Sequence, residues 1–330
     1  GNPYTLNPEL IYAKQIGAKM NPTSEEMSAH LTSSTLMQPA IQAWKIYLRD
    51  QGRSNHTLKA FIADLQLLAS FLPTDAQIGS VGTKDLENYL NWLENERNVP
   101  CSPKTLSRRI TSIKSFFRWL SRGGVIPFDP AEKVEQKTVI SPLPVVLTKS
   151  EQERVLEAAD ALRTAAASDL RPYLLLKLVL ETAMKKGECL NLKTNHVELD
   201  GPEGPFVFIR YSSPRYRYKE RKVPVSAEWA QAFQEYAAAY QIQDAVFPWS
   251  QRLLEYLLEG VGNAAQLDKH LSFAMCRWTS ALNDLTAGAD PDKIRQKLGI
   301  SKIQWREISQ KLQSLAKEYG YEPAAPENQE

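Results

Sequence analysis

Residues 102–122 read SPKTLSRRITSIKSFFRWLSR, a stretch in which apolar residues recur every three or four positions. This period predicts one long amphipathic helix over about Pro103–Ser121, which Gly123-Gly124 would end. Its basic residues have no acidic partner at helical spacing on the same helix, so they gain nothing from intrahelical ion pairs. Thr105, Arg108, Arg109 and Ser112 fall largely off the apolar stripe, which consists of Leu106, Ile110, Ile113, Phe117 and Leu120.

Three more helices are predicted before this one, over Met37–Arg49, Asn55–Phe71 and Lys84–Arg97. Gly and Pro residues and a polar stretch separate them, as is typical of connections between helices. Residues 36–122 contain 12 Lys and Arg against 7 Asp and Glu. We therefore predict a small, basic, helical domain over residues 36–127.

The second half of the chain changes character after a stretch that contains several prolines, which predicts a linker over residues 128–147. A larger domain is predicted over residues 148–321, and Thr148 and Glu151 have the spacing of a capping box at its start. Residues rich in Phe, Val, Ile and Tyr predict a β-hairpin within it, with strands at Pro205–Tyr211 and Tyr216–Val225. The fold class is mainly α with this small hairpin. The helices are predicted at about Ser150–Ala166, Arg171–Thr182, Gly187–Leu192 and Ala227–Tyr240, and with interruptions to Tyr319; the ends, 1–35 and 322–330, are predicted to be flexible arms.

Composition excludes several classes of protein. The 330 residues suffice for two cores, and 43% hydrophobic and 24% charged residues are ordinary for a globular protein. The longest strongly apolar run, about Tyr173–Leu180, is far shorter than the roughly 20 residues that cross a bilayer. Residues 1–36 show no basic segment followed by an apolar one, so we expect no secretory signal. Cys101, Cys189 and Cys276 lie far apart without metal-ligand spacing, which favours reduced thiols, no metal or other cofactor, and a cytoplasmic location.

Five short segments occur in a characteristic order: SNHTL (54–58), SPKTLSRRI (102–110), SFFRWL (115–120), GVIPFDPA (124–131) and LPVVLT (143–148). Together they resemble the tyrosine recombinases, also called phage integrases, over about Leu36–Leu315. The resemblance implies a four-helix, SAM-like core-binding domain followed by a mainly helical catalytic domain. In that family the two domains close around duplex DNA as a C-shaped clamp.

The family cuts DNA with a tyrosine, which attacks a phosphate and forms a 3′-phosphotyrosyl bond. Two arginines hold the phosphate oxygens, and a lysine on the hairpin and two histidines, or a tryptophan for one of them, move protons and donate further hydrogen bonds. Removing one such preorganised donor typically costs about 2.7–4 kcal/mol.

The first arginine and the lysine have changed here. The family pattern Thr-Gly-Leu-Arg-x-x-Glu is similar to Thr182-Ala183-Met184-Lys185-Lys186-Gly187-Glu188, in which Glu188 matches. Lys185 keeps the charge of the arginine but not its planar fork. Aligning Lys219-Glu220-Arg221 with the family's hairpin turn puts Tyr216 at the lysine position. Because the register of the hairpin is open, Lys219 is an alternative.

The second arginine remains, but its neighbours have changed. The pattern His-x-x-Arg becomes Ala274-Met275-Cys276-Arg277, and His270 is predicted to lie one helical turn earlier, on the surface. The pattern Leu-Gly-His becomes Leu298-Gly299-Ile300, and the position of the tyrosine, nine residues later, holds Ser309. A serine hydroxyl could attack phosphorus, but no general base is evident beside it.

One arginine therefore survives, one is replaced by lysine, and both histidines and the tyrosine are absent. We expect a protein that binds duplex DNA, mostly through phosphates, and that does not cut it. Arg277 and Lys185 are the expected remnants of the catalytic site, with Ser309 at the nucleophile position. The predicted DNA-binding residues are Thr57, Lys59, Lys104, Thr105, Arg108, Arg109, Ser112, Lys114, Arg215, Arg217, Lys219 and Arg221.

Other interpretations of the same residues stay open. The basic helix can be a solvated face, and Arg277 a structural arginine paired with a helix end or with Glu188. The chain can be an active recombinase whose nucleophile is displaced, to Tyr319 or Tyr321, or a scaffold that binds no DNA. The resemblance also suggests docking of about Lys302–Tyr319 on a neighbouring protomer, and a DNA-binding protein of this kind is expected on the nucleoid.

Overall fold

The computed structural model describes residues 30–139 and 141–320, and no helix in this part of the chain is long and apolar enough to cross a membrane. The chain divides between Ser141 and Pro142 into two compact units, which we call unit 1 and unit 2. Each unit has a hydrophobic core of its own.

Unit 1 contains four α-helices in its described residues. They are α1 (Met37–Asp50), α2 (Asn55–Phe71), α3 (Thr83–Asn91) and α4 (Pro103–Arg122). Helix α3 continues as a π-helical turn over Trp92–Glu96. Serine residues cap α2 and α4: Ser54 accepts a hydrogen bond from the Thr57 amide at 3.2 Å, and Ser102 from the Thr105 amide at 3.1 Å. The four helices predicted from apolar spacing are confirmed.

The core of unit 1 is aromatic. The Trp44 ring of α1 meets the Phe116 ring of α4 edge-on, with ring centroids 5.4 Å apart. Most of the predicted stripe of α4 is buried, including Ile110, Phe117 and Leu120. Burial of one such side chain contributes about 1.5–3 kcal/mol, so the stripe fixes which face of α4 remains in solvent.

The predicted N-terminal arm, residues 1–35, needs a correction at its end. Most of it falls outside the described residues, but Leu31 is buried and joins the core of unit 1. The Ser33 carbonyl accepts a hydrogen bond from the Gly79 amide at 2.8 Å. A Cβ at Gly79 would lie 2.5 Å from the Ser33 Cβ, so this close approach requires glycine. Residues 31–35 were predicted as an arm because they show no helical period, yet they pack on unit 1.

Unit 2 is built around α6 (Arg171–Thr182), which is apolar on nearly all sides. It packs against four other helices, α5 (Lys149–Thr164), α8 (Ala227–Ala239), α9 (Gln251–Ala264) and α10 (Phe273–Thr286). Leu174, Leu176 and Val179 of α6 are consequently fully buried. The predicted capping box at the start of α5 is confirmed, because the Thr148 and Glu151 side chains accept each other's backbone amide hydrogens. Between α6 and α8 lies the short helix α7 (Lys186–Asn191).

A small antiparallel sheet follows α7, with strands β1 (Val197–Glu198), β2 (Phe206–Ile209) and β3 (Arg221–Pro224) in that order. Ile209 pairs with Arg221, which sets the register of the hairpin. The strand predicted over Tyr216–Val225 is too long, because Pro214–Lys219 forms a 3₁₀ turn. Pro214 fixes the backbone at the start of that turn, and the Glu220 carboxylate closes the loop by accepting a hydrogen bond from the Tyr211 amide at 3.2 Å.

A second apolar cluster in unit 2 holds its last helices, α11 (Pro291–Leu298) and α12 (Lys302–Glu318), against α10. Leu312 and Leu315 of α12 are buried there, and Trp305 and Tyr319 pack against the same cluster. Most of the apolar face of α12 is therefore covered within its own unit, but Ile303 in its first turn is 79% exposed. Docking of this helix on a neighbouring protomer stays a prediction that concerns its exposed face.

Candidate functional site

Glu188, in the first turn of α7, is the buried acid at the centre of the site in unit 2. Arg221 donates two hydrogen bonds to it, from Nη1 to Oε2 at 2.7 Å and from Nη2 to Oε1 at 2.9 Å. The Tyr211 hydroxyl and the Lys185 amide donate to the same carboxylate. Burial opposes the charge of Glu188, but the paired hydrogen bonds and charge of Arg221 outweigh it and lower the pKa of the carboxyl to about 2.

Arg221 is a structural residue. Its guanidinium also donates from Nε to the Lys297 carbonyl at 2.6 Å and from Nη1 to the Lys219 carbonyl at 2.8 Å. Gly299 allows this approach, because a Cβ at that position would lie 2.5 Å from the Arg221 Nη1. The prediction that Arg221 binds DNA is wrong: its side chain is only 7% exposed and its donors are used within unit 2.

Arg277, on α10, binds the ends of two helices. Its guanidinium donates to the carbonyl of Ala183, which ends α6, and to the carbonyl of Leu298, which ends α11. Burial lowers the pKa of Arg277 to about 10. The interpretation of Arg277 as an arginine at a helix end is therefore confirmed for these two bonds. A guanidinium has five N–H donors, so the same group retains donors for a further acceptor.

Lys185 differs from these arginines because its ammonium has no acceptor within hydrogen-bond or ion-pair distance among residues 30–139 and 141–320. Burial and the neighbouring charge of Arg277 lower the pKa of Lys185 to about 8, Glu188 opposes the shift, and Lys219 and Arg221 add to it. A half-buried ammonium thus faces several cations and one carboxylate whose oxygens are already used.

Lys219 ends the 3₁₀ turn before β3, and three tyrosine rings surround its ammonium. The nitrogen lies 4.5 Å from the centre of the Tyr216 ring, 5.7 Å from that of Tyr218 and 5.8 Å from that of Tyr211. The ring of Tyr216, which aligns with the family's lysine, contacts the lysine three residues later. The charges of Arg277 and Lys219 both act on the Lys185 ammonium, and we call these three residues the cation cluster.

The other positions expected for catalysis carry no comparable group. Ala274 is exposed one turn before Arg277, and Ile300 is 5% exposed within the apolar cluster of α10–α12. Ser309 lies half-buried on α12. His270 is exposed as predicted, but it precedes α10 rather than lying on it. Among the described residues, no group of three or more His, Cys, Asp or Glu is arranged to hold a metal ion.

In unit 1 the predicted DNA-binding residues separate into two groups. Asp64 of α2 is 2% exposed and accepts hydrogen bonds from Arg108 at 2.7 and 3.2 Å and from Ser112 at 2.7 Å. The Nε of Arg109 lies 3.9 Å from the same carboxylate, and its side chain is 15% exposed. Ser112 is fully buried, so the prediction that it contacts DNA is wrong, and Arg109 is largely enclosed.

The remaining predicted residues are accessible to different degrees. Arg108 keeps 46% of its side-chain surface. Thr57, Thr105 and Lys114 are half-buried, and Lys114 donates to the Glu132 carbonyl at 3.5 Å. Lys59, Lys104, Arg215 and Arg217 are exposed.

Asp64 was missed because acidic partners were sought along α4 alone, whereas this one comes from α2. A signal was present in the sequence. Asp64 lies three residues after Phe61 and four before Leu68, a spacing that puts it on the apolar face of α2. A lone acid on such a face needs a buried cation, which α4 supplies.

Comparison with known proteins agrees with this arrangement. The sequence model described as phage integrase, N-terminal SAM-like domain, matches residues 41–124, and the model described as phage integrase family matches residues 145–308. The tyrosine recombinase XerD of Listeria innocua serovar 6a is 24% identical over 273 residues, 78% of this chain and 89% of that relative. The tyrosine recombinase XerC of Mycobacterium sp. strain JLS is 28% identical over 166 residues, 49% of this chain and only 55% of that relative.

Solved structures agree in fold. The XerH site-specific recombinase bound to palindromic difH substrate matches with a TM-score of 0.66 at 16% identity, over 94% of both chains. A lambda integrase dimer bound to a COC′ core site matches with a TM-score of 0.64 at 14% identity, over 93% of this chain and 81% of that one. Sequence models for both domains match in the same order as units 1 and 2, and the chain belongs to the phage integrase family of tyrosine recombinases.

Proposed function

We propose that this protein clamps duplex DNA through its phosphates, using unit 1 and unit 2 together, and that it does not cleave the strands. The observation that carries the proposal is the cation cluster. The charges of Arg277 and Lys219 act on the half-buried Lys185 ammonium, and the Glu188 carboxylate near it already accepts hydrogen bonds from Arg221 and Tyr211.

A phosphate supplies the acceptor oxygens and the negative charge that the cation cluster lacks. Keeping a half-buried ammonium charged beside other cations costs free energy, which an anion with several acceptor oxygens offsets. Lysine and arginine donors form strong charge-assisted bonds with phosphate. Lys59, Lys104 and Arg108 of unit 1, with Arg215 and Arg217 of unit 2, add exposed cations that fit backbone contacts along a duplex.

The absence of cleavage is proposed from the chemistry of the remaining side chains. Attack by a hydroxyl on a phosphate needs an activated nucleophile and a proton acceptor. Ala274 and Ile300 stand where the family has histidines, and neither side chain can transfer a proton. Tyr319, one candidate for a displaced nucleophile, is half-buried against the apolar cluster of unit 2, which does not favour attack on DNA. Tyr321, the other candidate, lies outside the described residues.

The same proposal implies functional domains at residues 36–127 and 148–321, a linker at 128–147, and a location on the nucleoid in the cytoplasm. The division of the chain between Ser141 and Pro142 supports a linker in this region. Self-association through the exposed face of α12 belongs to the proposal as well.

Binding is tested by fluorescence anisotropy with a 30-base-pair duplex of mixed sequence. The double variant Lys185→Ala/Lys219→Ala is expected to bind at least tenfold more weakly than the wild type. Lys317→Ala, which removes an exposed cation at the end of α12, is the matched control and should bind as the wild type does. Equal affinity of the double variant and the control would show that the cation cluster binds no phosphate.

Cleavage is tested with a nicked duplex that traps a covalent protein–DNA adduct. We expect no adduct from the wild type. The competing proposal is an active recombinase, which the similarity to the tyrosine recombinases XerC and XerD favours. An adduct that disappears in Ser309→Ala, Tyr319→Phe or Tyr321→Phe would establish it and identify the nucleophile. A third alternative, a scaffold without DNA, requires that charge reversal at Arg108 leave nucleic-acid binding unchanged.

A further inference from the structure

The C-terminal half of α4 carries a feature that the proposed DNA contacts do not use. Arg118 and Arg122 lie four residues apart on the exposed face of α4 and line a cavity of about 400 Å³ in unit 1, together with Arg53 from the loop after α1. The described residues that line this cavity include no acid, whereas the neighbouring cavity, which Arg118 and Arg122 also line, is bordered by Asp129 and Glu132. Neither Arg118 nor Arg122 has an ion pair or side-chain hydrogen bond within the described part of the chain.

Three guanidinium groups around one cavity favour the binding of an anion. Arg118 and Arg122 are neighbours on the helix surface, with about 5–6 Å between Cβ atoms, and like charges at this spacing destabilise a helix. Arg122 gains from its place in the last turn of α4, where cations are favoured. Arg53 lies at the end of α1, where its amide donates to the Leu48 carbonyl at 3.2 Å, so a helix end favours its charge as well. Arg118 lies at no helix end, so helix ends do not account for the group of three.

Another part of the cavity lining is aromatic. Tyr47 of α1 and Trp119 of α4 both line it, and their rings stack on each other with centroids 5.4 Å apart and an interplanar angle of 26°. Both side chains are half-buried, so ring surface remains accessible. Guanidinium forks suit phosphate oxygens, and aromatic rings suit the face of a base.

We propose that this cavity binds a nucleotide, with its phosphate on Arg53, Arg118 and Arg122 and its base against the Tyr47–Trp119 pair. Arg118 follows Lys104 and Arg108, the duplex contacts proposed on α4, by fourteen and ten residues, which is about 21 and 15 Å along the helix. Lys114, which was also predicted to bind DNA, lies one turn before Arg118, so the two surfaces adjoin. The site is independent of the cation cluster in unit 2, because none of its residues belongs to that cluster.

The test is calorimetric titration of the full chain with deoxyadenosine monophosphate, with inorganic phosphate and with a six-residue oligodeoxythymidylate. We expect the monophosphate to bind at least fivefold more tightly than inorganic phosphate, because the base adds stacking. Arg118→Ala/Arg122→Ala should weaken its binding at least tenfold, and Arg118→Lys by less. Arg49→Ala, an exposed arginine of α1 that does not line the cavity, is the control and should change nothing.

The titrations also distinguish the source of the nucleotide. Tighter binding of the oligonucleotide assigns the site to a DNA strand, and tighter binding of the monophosphate assigns it to a free nucleotide; both support the proposal. Equal affinity for monophosphate and inorganic phosphate overturns it. It is also overturned if Arg118→Ala/Arg122→Ala weakens only duplex binding, since these arginines would then extend the duplex surface. Thermal unfolding of each variant checks that these exposed substitutions leave the fold intact.

Discussion

Among single residues, Lys185 combines a stability cost with a proposed binding role. Burial and the charge of Arg277 lower its pKa to about 8, so the charged form is disfavoured in the folded chain. We expect Lys185→Met to raise the free energy of unfolding at pH 7 by about 1 kcal/mol, because it keeps the side-chain length and removes the charge. The same variant should lose affinity for duplex DNA.

Urea unfolding at several pH values checks this stability gain. It should be fully present below pH 8, shrink between pH 8 and 10.5, and disappear above pH 10.5, where the amine becomes neutral in the folded and unfolded chain alike. Lys317→Met, at an exposed position, is the matched control and should show no such dependence. A Lys185→Met protein less stable than the wild type at pH 7 contradicts the prediction.

The pKa shift of Glu188 affects stability in the opposite direction, because the folded chain favours its charged form. Its pKa falls from 4.5 to about 2 despite burial, because Arg221 binds the charged form. Its contribution to stability is therefore fully present above about pH 4.5 and is lost as the pH falls towards 2. We expect Glu188→Gln to lower the free energy of unfolding by on the order of 3 kcal/mol at pH 7, since it leaves the Arg221 charge buried without its partner.

Chemical denaturation at pH 7 and pH 3 measures the effect of Glu188→Gln. The difference between wild type and variant should be smaller at pH 3, where the wild-type carboxylate has lost part of its advantage. Glu228→Gln, at an exposed position in the first turn of α8, serves as control. If wild type and variant differ in free energy of unfolding by the same amount at both pH values, the pair with Arg221 does not set the pKa of Glu188.

Between elements, the buried contact of α2 and α4 depends on one acid. Asp64 accepts hydrogen bonds from Arg108 and Ser112 and lies near Arg109. We expect Asp64→Asn to destabilise the protein by about 2 kcal/mol. The effect is moderate for a buried pair because Arg108 is 46% exposed and water can solvate its freed charge. Thermal unfolding beside Asp75→Asn, an exposed acid of unit 1, measures the effect, and equal losses in both variants would contradict it.

The elements also show how far sequence reasoning reaches. Helix α2 was predicted over the residues that form it, Asn55–Phe71, because apolar spacing and a serine cap act along one segment. The hairpin was predicted with a second strand that is too long, because Tyr216 and Tyr218 favour strands while Pro214 and the Glu220 side chain impose a turn. In this loop, the contact between Glu220 and the Tyr211 amide outweighs the strand propensity of the tyrosines.

The sequence predicted which residues form the site in unit 2, but not which of them pair with one another. The positions of Lys185, Glu188 and Arg277 follow from family spacing, and the structure brings them together. The assignment of Arg221 to DNA failed because its partner, Glu188, lies 33 residues earlier in the chain. Ser112 failed for the same reason, since Asp64 is 48 residues away. Helical or strand periodicity carries no information on such pairs, which depend on tertiary packing.

At the scale of the whole molecule, cations available for phosphates occur in both units. Unit 1 exposes Lys104 and half of Arg108, and unit 2 holds Lys185 and Lys219 beside a carboxylate that other groups already use. The formal net charge of the chain is only +2, so binding to DNA depends on where these cations lie rather than on their excess. If both units contact one duplex, their contributions to the salt dependence of binding add.

Salt titration of duplex binding tests this addition. A protein that neutralises about six phosphates should give a log–log slope of affinity against salt near −5, because each contact contributes about −0.9 through counterion release. Lys104→Ala/Arg108→Ala in unit 1 and Lys185→Ala/Lys219→Ala in unit 2 should each make the slope less negative by about 2, and the fourfold variant by about 4. Lys317→Ala should leave the slope unchanged, which separates specific contacts from general charge. If one pair of substitutions alone removes the whole dependence, a single unit carries the phosphate contacts and the clamp is wrong. If neither pair changes the slope, phosphates are bound elsewhere on the chain.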